Sequence, residues 1–306
     1  ILTRDWSSDV CSSDLKILLL LLVCAIAVSA LSPSAVYADS GPKPSVRVSV
    51  ENLDGELCYG TLLSKWESTG PQFAWDGTEE GKYLPSGLEE EIWSAFVNYE
   101  DADGYYFLQI AWLCSGERGI SWTYYPPSSF KILLYFPERG EGGEFLVSGI
   151  YERYAFDSYY TVNLTKTDDG GLLIAQKSYD YTWEVVSLIC RIVLTILLEL
   201  GIALLFGFRS RRTLSVILVV NVITQVILNV LLNLINYSQG AFAFIGWYIL
   251  LEFVVFAVEA VVYALAFRRF AEKKVPVWKS VLYALTANAF SFAGGILLAR
   301  YIPGIF

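Results

Sequence analysis

Three glutamates, Glu199, Glu252 and Glu259, lie inside apolar stretches that are long enough to cross a lipid bilayer. A carboxylate in a membrane span costs roughly 2.5 to 3.5 kcal/mol on insertion scales, so each one needs a partner or a purpose. Carboxyl and amide oxygens suit hard cations such as Na⁺, Ca²⁺ or Mg²⁺, and buried carboxyl groups can relay protons. The alternative is that these side chains only satisfy one another and fix helix register.

Amides in the neighbouring stretches fall at similar depths when depth is counted at ~1.5 Å per residue from the basic ends. One predicted layer contains Glu199, Glu259 and three of the amides, and a second layer contains Glu252 and Asn229. The amide and hydroxyl members of the whole set are Asn221, Gln225, Asn229, Asn288 and Ser291. The sequence therefore predicts an inward polar seam with a hard cation or a proton as candidate ligand. It does not identify a metal.

Four apolar segments carry these residues, at about 185–208, 214–237, 241–267 and 278–299. Each can cross a hydrocarbon core of ~30 Å, which predicts an all-α four-helix transmembrane bundle in contact with membrane lipid. The loops at 209–212 and 268–274 are rich in Arg and Lys, whereas the loop at 238–240 is uncharged. The positive-inside rule then places the basic loops in the cytoplasm and the C-terminus outside.

The N-terminal half has the opposite charge balance. Residues 39–182 carry 23 acidic and 10 basic side chains, a net of −13, whereas residues 184–306 carry 5 and 10, a net of +5. An acidic surface argues against nucleic acid as a partner, because binding phosphates requires basic groups. An extracytoplasmic ligand or envelope protein is the expected partner of residues 39–182, and residues 183–306 form the expected four-span domain.

Alternation of polar residues and valine over residues 45–51 predicts a strand with one buried face. Further strand-like runs lie at 105–113, 130–136, 144–160 and 172–176. One helix is expected because Ser86 and Glu89 have the spacing of a capping box and apolar residues then recur at helical spacing. These signals predict a β-rich, sandwich-like extracytoplasmic domain with one helix, and with the membrane bundle a multi-domain membrane protein.

The first 38 residues read as two leader segments. Residues 1–15 resemble translated sequencing-adapter read-through and are interpreted as a non-native leader, since the chain contains no methionine. Residues 16–38 have the apolar run and small-residue ending of a signal peptide, which predicts export.

Two cysteines, Cys58 and Cys114, fall in the exported region, where an oxidising compartment permits a disulfide. Two buried free thiols are the equally weighted alternative. Nearby, the segment 100–104 gathers three carboxylates before a glycine, which indicates either a calcium-binding loop or, with more weight, a solvated hairpin turn.

The absence of histidine from the sequence removes Ser-His-Asp and Cys-His catalysis, and no P-loop or paired CxxC motif occurs. We therefore expect a non-enzymatic bacterial cell-envelope protein without a cofactor, whose exported domain binds or senses a ligand. A cation- or proton-linked transporter or channel subunit that uses the three glutamates is the alternative. A carboxylate-dependent intramembrane hydrolase is the second alternative.

Parts of both halves resemble an uncharacterised group of bacterial polytopic membrane proteins with a signal peptide, an extracytoplasmic domain and a C-terminal four-span bundle. The segments that carry the resemblance are Glu199, 221–225, Glu252, Glu259 and 288–291 in the membrane half and 58–65 and 178–181 in the exported half. The resemblance extends over nearly everything after the signal and implies a bacterial cytoplasmic-membrane location. It implies no activity.

Overall fold

The structure is a computed structural model that describes residues 41–115, 118–270 and 275–299. The expected leader (1–15) and signal peptide (16–38) lie outside the described residues. Two compact units are present. Among the described residues, the β unit contains 42–182 together with 233–244, and the helical unit contains 183–232, 245–270 and 275–299. The turn between the second and third long helices thus belongs to the β unit.

In the part of the chain that the structure describes, the β unit contains ten strands and one helix. The strands are β1 (Ser45–Glu51), β2 (Cys58–Ser64), β3 (Ser68–Thr69), β4 (Gln72–Phe73), β5 (Trp112–Cys114), β6 (Ile120–Trp122), β7 (Ser129–Phe136), β8 (Glu144–Glu152), β9 (Asp157–Thr167) and β10 (Leu173–Lys177), and the helix is α1 (Glu90–Val97). Eight strands form one sheet in the order β5-β2-β7-β8-β10-β9-β1-β6, and β3 and β4 form a separate hairpin. The edge strands β5 and β6 contact each other, so the sheet is nearly closed into a barrel. The sandwich-like arrangement that the sequence predicts is not confirmed.

Strands β2 and β7 are buried on both faces, because they separate two apolar cores. Leu62 of β2 and Ile132 of β7 point into the core inside the curved sheet. Their neighbours Leu63 and Leu133 point to the other side, where α1 packs. Alternate residues of a strand point to opposite faces, so covering both faces replaces the alternating pattern by a continuous apolar run. For this reason β2 is absent from the strands predicted by alternation.

The other strand predictions have mixed outcomes. The runs at 45–51, 130–136 and 172–176 are confirmed as β1, β7 and β10. The run at 144–160 is two strands, β8 and β9, joined by a turn. The run at 105–113 is mostly irregular and contributes only the start of β5.

The predicted helix is confirmed as α1, but it begins later than the sequence indicates. Glu89 occupies the N-cap position without a side-chain capping bond, so the capping box expected from Ser86 and Glu89 is not formed. The helix buries Ile92, Trp93 and Phe96 against β2 and β7. Packing of this apolar face therefore stabilises α1 in the absence of a side-chain cap.

The helical unit contains most of four long helices, α2 (Thr182–Leu205), α3 (Arg211–Gln239), α4 (Ala241–Phe270) and α5 (Val277–Ala299). All four are long and apolar enough to cross a membrane, as predicted from the sequence. On α2 the buried polar residues recur every fourth position, namely Ser187, Arg191, Thr195 and Glu199. Large apolar side chains such as Leu197 and Phe290 are exposed on the opposite surfaces. The helices therefore bury polar groups beside an apolar core and expose many large apolar side chains, as expected of helices that cross a membrane.

Candidate functional site

Glu199 and Asn221 join α2 to α3 in the centre of the helical unit. Asn221 Nδ2 donates to Glu199 Oε2 at 2.5 Å and to the hydroxyl of Tyr263, from α4, at 2.9 Å. The same nitrogen lies 3.0 Å from the Ile217 carbonyl, one turn earlier on α3. The fourth helix contributes Tyr283, whose hydroxyl donates to the Glu199 carbonyl at 3.2 Å. All four helices thus meet at this pair.

Glu259 forms a second glutamate–asparagine pair, between α4 and α5. Asn288 Nδ2 donates to Glu259 Oε2 at 2.7 Å and to the Ala284 carbonyl, one turn earlier on its own helix, at 3.0 Å. Thr224 of α3 donates to the other carboxyl oxygen, Oε1, at 2.7 Å. Both oxygens of Glu259 therefore accept a hydrogen bond.

The two pairs differ in how completely their polar atoms are satisfied. Glu199 Oε1 and Asn221 Oδ1 are buried without a hydrogen-bond partner. A buried acceptor left unsatisfied costs about 1–3 kcal/mol. The equivalent oxygen of Glu259 is satisfied by Thr224.

Arg191 is the main residue of the seam that the sequence reasoning missed. Its Nη1 donates to Asn229 Oδ1 at 3.2 Å, and its guanidinium lies 4.6 Å from the centre of the Tyr248 ring. Its charge also interacts with Glu252, the residue that the sequence predicts to lie in one layer with Asn229. The signal was present, because Arg191 is a charged residue inside an apolar span and lies two helical turns before Glu199. A cation among the acids lowers the cost of burying them.

Of the remaining predicted residues, Ser291 contacts another helix and Gln225 bonds within its own helix. Ser291 Oγ lies 2.8 Å from Thr195 Oγ1, which links α5 to α2. Asn229 Nδ2 donates to the Gln225 carbonyl at 2.8 Å and lies 3.5 Å from Gln225 Oε1, so Gln225 bonds within α3. Thr195 and Thr224 are further residues that the sequence reasoning missed, because a threonine in an apolar span is too common to single out.

Glu252 has a different environment from the other two glutamates. It is only partly buried and, with Asn288, lines a groove of about 390 Å³ between α4 and α5. The other lining residues are apolar or aromatic. Glu252 therefore borders a groove, whereas Glu199 and Glu259 are fully buried.

In the β unit, Cys58 and Cys114 lie directly opposite each other in the antiparallel pairing of β2 and β5. Both are free thiols buried in the apolar core inside the sheet. A hydrogen bond with Cys114, followed by burial, raises the pKa of the Cys58 thiol. Directly opposed residues also have the Cα separation that a disulfide requires. The free-thiol state is the one in the structure, and oxidation to a disulfide stays a prediction.

The acidic segment at 100–104 is a turn held by an ion pair. Lys131 Nζ contacts Asp101 at 2.8 Å and Asp103 at 2.5 Å, and the side chains of Lys131 and Asp101 are buried. Asp101 Oδ2 also accepts from the backbone N–H of Asp103 and of Tyr105. These contacts favour the hairpin-turn interpretation, because a lysine already neutralises the carboxylates that calcium would need.

A tyrosine cluster surrounds the turn at 233–244 inside the β unit. The ring of Tyr237 packs against Tyr154 and Tyr179, with centroids 6.3 and 5.5 Å apart, and Tyr179 packs against Tyr181 at 4.6 Å. The Phe156 backbone N–H donates to the Tyr237 carbonyl at 2.8 Å. We call Tyr154, Phe156, Tyr179, Tyr181 and Tyr237 the aromatic clamp.

Gly240 is required for the close approach of this turn to Phe156. Its φ is +82°, and a Cβ added at this position would lie 2.6 Å from the Phe156 ring. An alanine at 240 would therefore be disfavoured both by the backbone conformation and by the clash.

The polar groups of the seam are carboxyl, amide and hydroxyl groups and the guanidinium of Arg191. Within the described ranges, no group of three or more Cys, Asp or Glu side chains is arranged to hold a metal. No family model, no curated protein and no solved structure matches the chain. The interpretation of the site therefore depends on its own geometry.

Proposed function

We propose that the chain is a non-enzymatic, multi-pass protein of a bacterial cytoplasmic membrane, whose exported β unit binds or senses a ligand or envelope protein. In this proposal ligand binding alters the membrane helices through the aromatic clamp. The observation that carries the proposal is that the turn between the second and third membrane helices is part of the β unit.

The contacts of the aromatic clamp hold the turn at 233–244 against the rest of the β unit. Tyr237 is held by a backbone hydrogen bond and by two ring contacts, and each of these partners comes from the β8–β9 turn or the segment after β10. A movement of the β8–β9 turn therefore displaces residues that continue directly into α3 and α4.

The chain enters the first membrane helix without a flexible linker. Asp180 Oδ1 accepts from the Thr182 backbone N–H at 2.9 Å, at the point where α2 begins. Hydrogen bonds from the Thr182 side chain and backbone lower the pKa of Asp180, so this carboxylate is charged at neutral pH. A negative charge at a helix N-terminus is stabilising. Thus the start of α2 and the α3–α4 turn are both held by hydrogen bonds within the β unit.

The proposed orientation places residues 39–182 and the C-terminus outside the cytoplasm. Arg211 and Arg212 lie at the start of α3, and Arg268 and Arg269 lie near the end of α4. In each helix the basic end is therefore the end away from residues 233–244. The positive-inside rule assigns those ends to the cytoplasm.

The coupling is tested by disulfide crosslinking between cysteines introduced into α2 and α4 of the full chain in lipid nanodiscs. A nanobody raised against residues 42–182 serves as a surrogate ligand. We expect nanobody binding to change the crosslinking rate in the otherwise wild-type protein and to have no effect in Tyr237→Ala. Tyr83→Ala removes an exposed tyrosine outside the aromatic clamp and serves as the control, which should respond like wild type. Crosslinking that is indifferent to every nanobody bound would contradict the proposal.

A second function, cation- or proton-linked transport, is supported by Glu252 at the groove and its charge partner Arg191. This function predicts a cation or proton flux in proteoliposomes that Glu252→Gln abolishes while the protein stays folded. An absent flux, or one unchanged by Glu252→Gln, would remove this candidate.

A further inference from the structure

The pair of Glu199 and Asn221 has two buried oxygen atoms that accept nothing. Asn221 Nδ2 donates to Glu199 Oε2, which leaves Glu199 Oε1 and Asn221 Oδ1 as acceptors without a donor. Glu199 is 0% exposed and Asn221 is 1% exposed. Lipid-exposed helices surround the pair, so bulk water does not supply the missing donor.

The orientation of the Asn221 amide is fixed by its neighbours. Its Nδ2 lies 3.0 Å from the Ile217 backbone carbonyl, which can only accept a hydrogen bond. If the amide were turned over, its oxygen would face this carbonyl oxygen. The unsatisfied atom of Asn221 is therefore the amide oxygen.

We propose that Glu199 and Asn221 form an intramembrane proton-binding site, in which a proton on Glu199 Oε1 is donated to Asn221 Oδ1. Asn221 Nδ2 at the same time donates to Glu199 Oε2, so the acid and the amide form a cyclic pair with two hydrogen bonds. One proton satisfies both orphan acceptors. This site goes beyond ligand sensing by the β unit and does not depend on it.

A proton fits the site better than a metal cation. Calcium takes about six to eight oxygen ligands and magnesium about six, whereas only two unsatisfied oxygens are present at this pair. The described part of the chain also contains no acidic cluster of three or more residues arranged around a metal.

A comparison of the hydrogen bonds at Glu259 and Glu199 shows which of the two carboxyl groups is better suited to hold the proton. Thr224 and Asn288 donate to the two oxygens of Glu259, so its charged form is stabilised by hydrogen bonds. Two carboxylates that interact across a low-dielectric interior disfavour each other's ionisation. Glu199 has one oxygen, Oε1, that accepts nothing, so Glu199 is the member of the pair that the geometry suits to the neutral form.

The groups that face Glu199 are known from every helix packed against it. Asn221 comes from α3, and Glu259 and Tyr263 come from α4. Tyr283 of α5 donates to the Glu199 backbone carbonyl rather than to its carboxyl group. Glu252 is a further acidic neighbour, on α4.

Infrared spectroscopy of the full chain in lipid nanodiscs tests the proposal, because a protonated carboxyl group has a carbonyl stretch separate from that of a carboxylate and shifts in D₂O. We expect wild type and Glu259→Gln to show an acid band component that Glu199→Gln lacks. Gln at 199 can donate from its amide to Asn221 Oδ1, so its melting temperature should be close to that of wild type. Retention of the full acid band in folded Glu199→Gln would overturn the proposal.

A second variant keeps the test decisive if Glu199→Gln does not fold. In Asn221→Ala the acid loses both hydrogen bonds of the cyclic pair, so its carbonyl band should move to higher frequency. An unshifted band would overturn the assignment. A cation at the site would instead give Na⁺-dependent thermal stabilisation of wild type that Glu199→Gln lacks, and this outcome would also overturn it.

Discussion

The β unit and the helical unit differ in which side chains they bury and which they expose. The β unit packs aliphatic and aromatic residues into two cores on either side of β2 and β7, and its buried charge Lys131 is matched by carboxylates. The helical unit also has an apolar core, but it buries amides, hydroxyls, two glutamates and an arginine, and many of its large apolar side chains are exposed. In water, apolar burial drives folding. In lipid that driving force is missing between helices, so polar contacts and close packing must specify the helix partners.

The largest expected effect contrasts one residue type in the two units. Phe130 is fully buried in the core inside the sheet, whereas Phe290 on α5 is 61% exposed. Phe130→Ala should lower the free energy of unfolding by about 3 to 5 kcal/mol, because it removes buried area and leaves a cavity. Phe290→Ala should change it by less than about 0.5 kcal/mol, since most of this side chain is not covered by the protein. The measurement is urea unfolding of the full chain in detergent, followed by tryptophan fluorescence. Equal losses would contradict the contrast.

The buried ion pair of the β unit provides the next test. Burial lowers the pKa of the Lys131 ammonium, but hydrogen bonds and charge attraction from Asp101 and Asp103 outweigh it, so the pKa is raised. Lys131→Met leaves Asp101 buried without its cation and should cost about 3 kcal/mol or more at neutral pH. Since the folded pKa is the higher one, the contribution of Lys131 is complete below the ordinary lysine pKa and is lost as the pH rises through the folded value.

Lys82→Met is the matched control for Lys131→Met. Lys82 pairs with Glu90, whose side chain is 68% exposed, so solvent screens the interaction. The cost should stay below about 1 kcal/mol. A loss as large as that of Lys131→Met would show that burial does not set the strength of these pairs.

The two units also differ in how far the sequence predicts them. The length of the four apolar runs predicts four membrane helices. In lipid, backbone groups have no water to bond to, and a single apolar segment satisfies its own backbone hydrogen bonds by forming a helix. Within them, the helical period brings Glu199 to Asn221 and Glu259 to Asn288. The sequence did not predict Arg191 as the partner of Asn229, since depth alone does not say which side chain reaches across.

In the β unit, alternation predicts β1 but not β2. A strand buried on both faces has no polar side to mark it, and its partners β5 and β7 come from distant parts of the chain. The near-closure of the sheet depends on contact between β5 and β6, two strands of three residues each that carry almost no periodic signal. The inclusion of residues 233–244 in this unit was likewise not predicted, because the aromatic clamp is assembled from three separate segments.

The smallest effect that we expect from loss of a buried contact comes from the pair of Glu259 and Asn288 in the helical unit. Asn288→Ala removes the donor to Glu259 Oε2 and leaves Thr224 as the donor to Oε1. The expected cost is about 1 kcal/mol, because helices that separate within lipid find other partners for their polar groups. Thr286→Ala, which removes an exposed hydroxyl bonded only within α5, should cost less. Steric trapping in detergent micelles measures both variants. If Asn288→Ala cost as much as Lys131→Met, a buried polar contact between membrane helices would stabilise the protein as much as the buried ion pair of the β unit. The two units would then differ in the types of residue that they bury but not in the strength of their polar contacts.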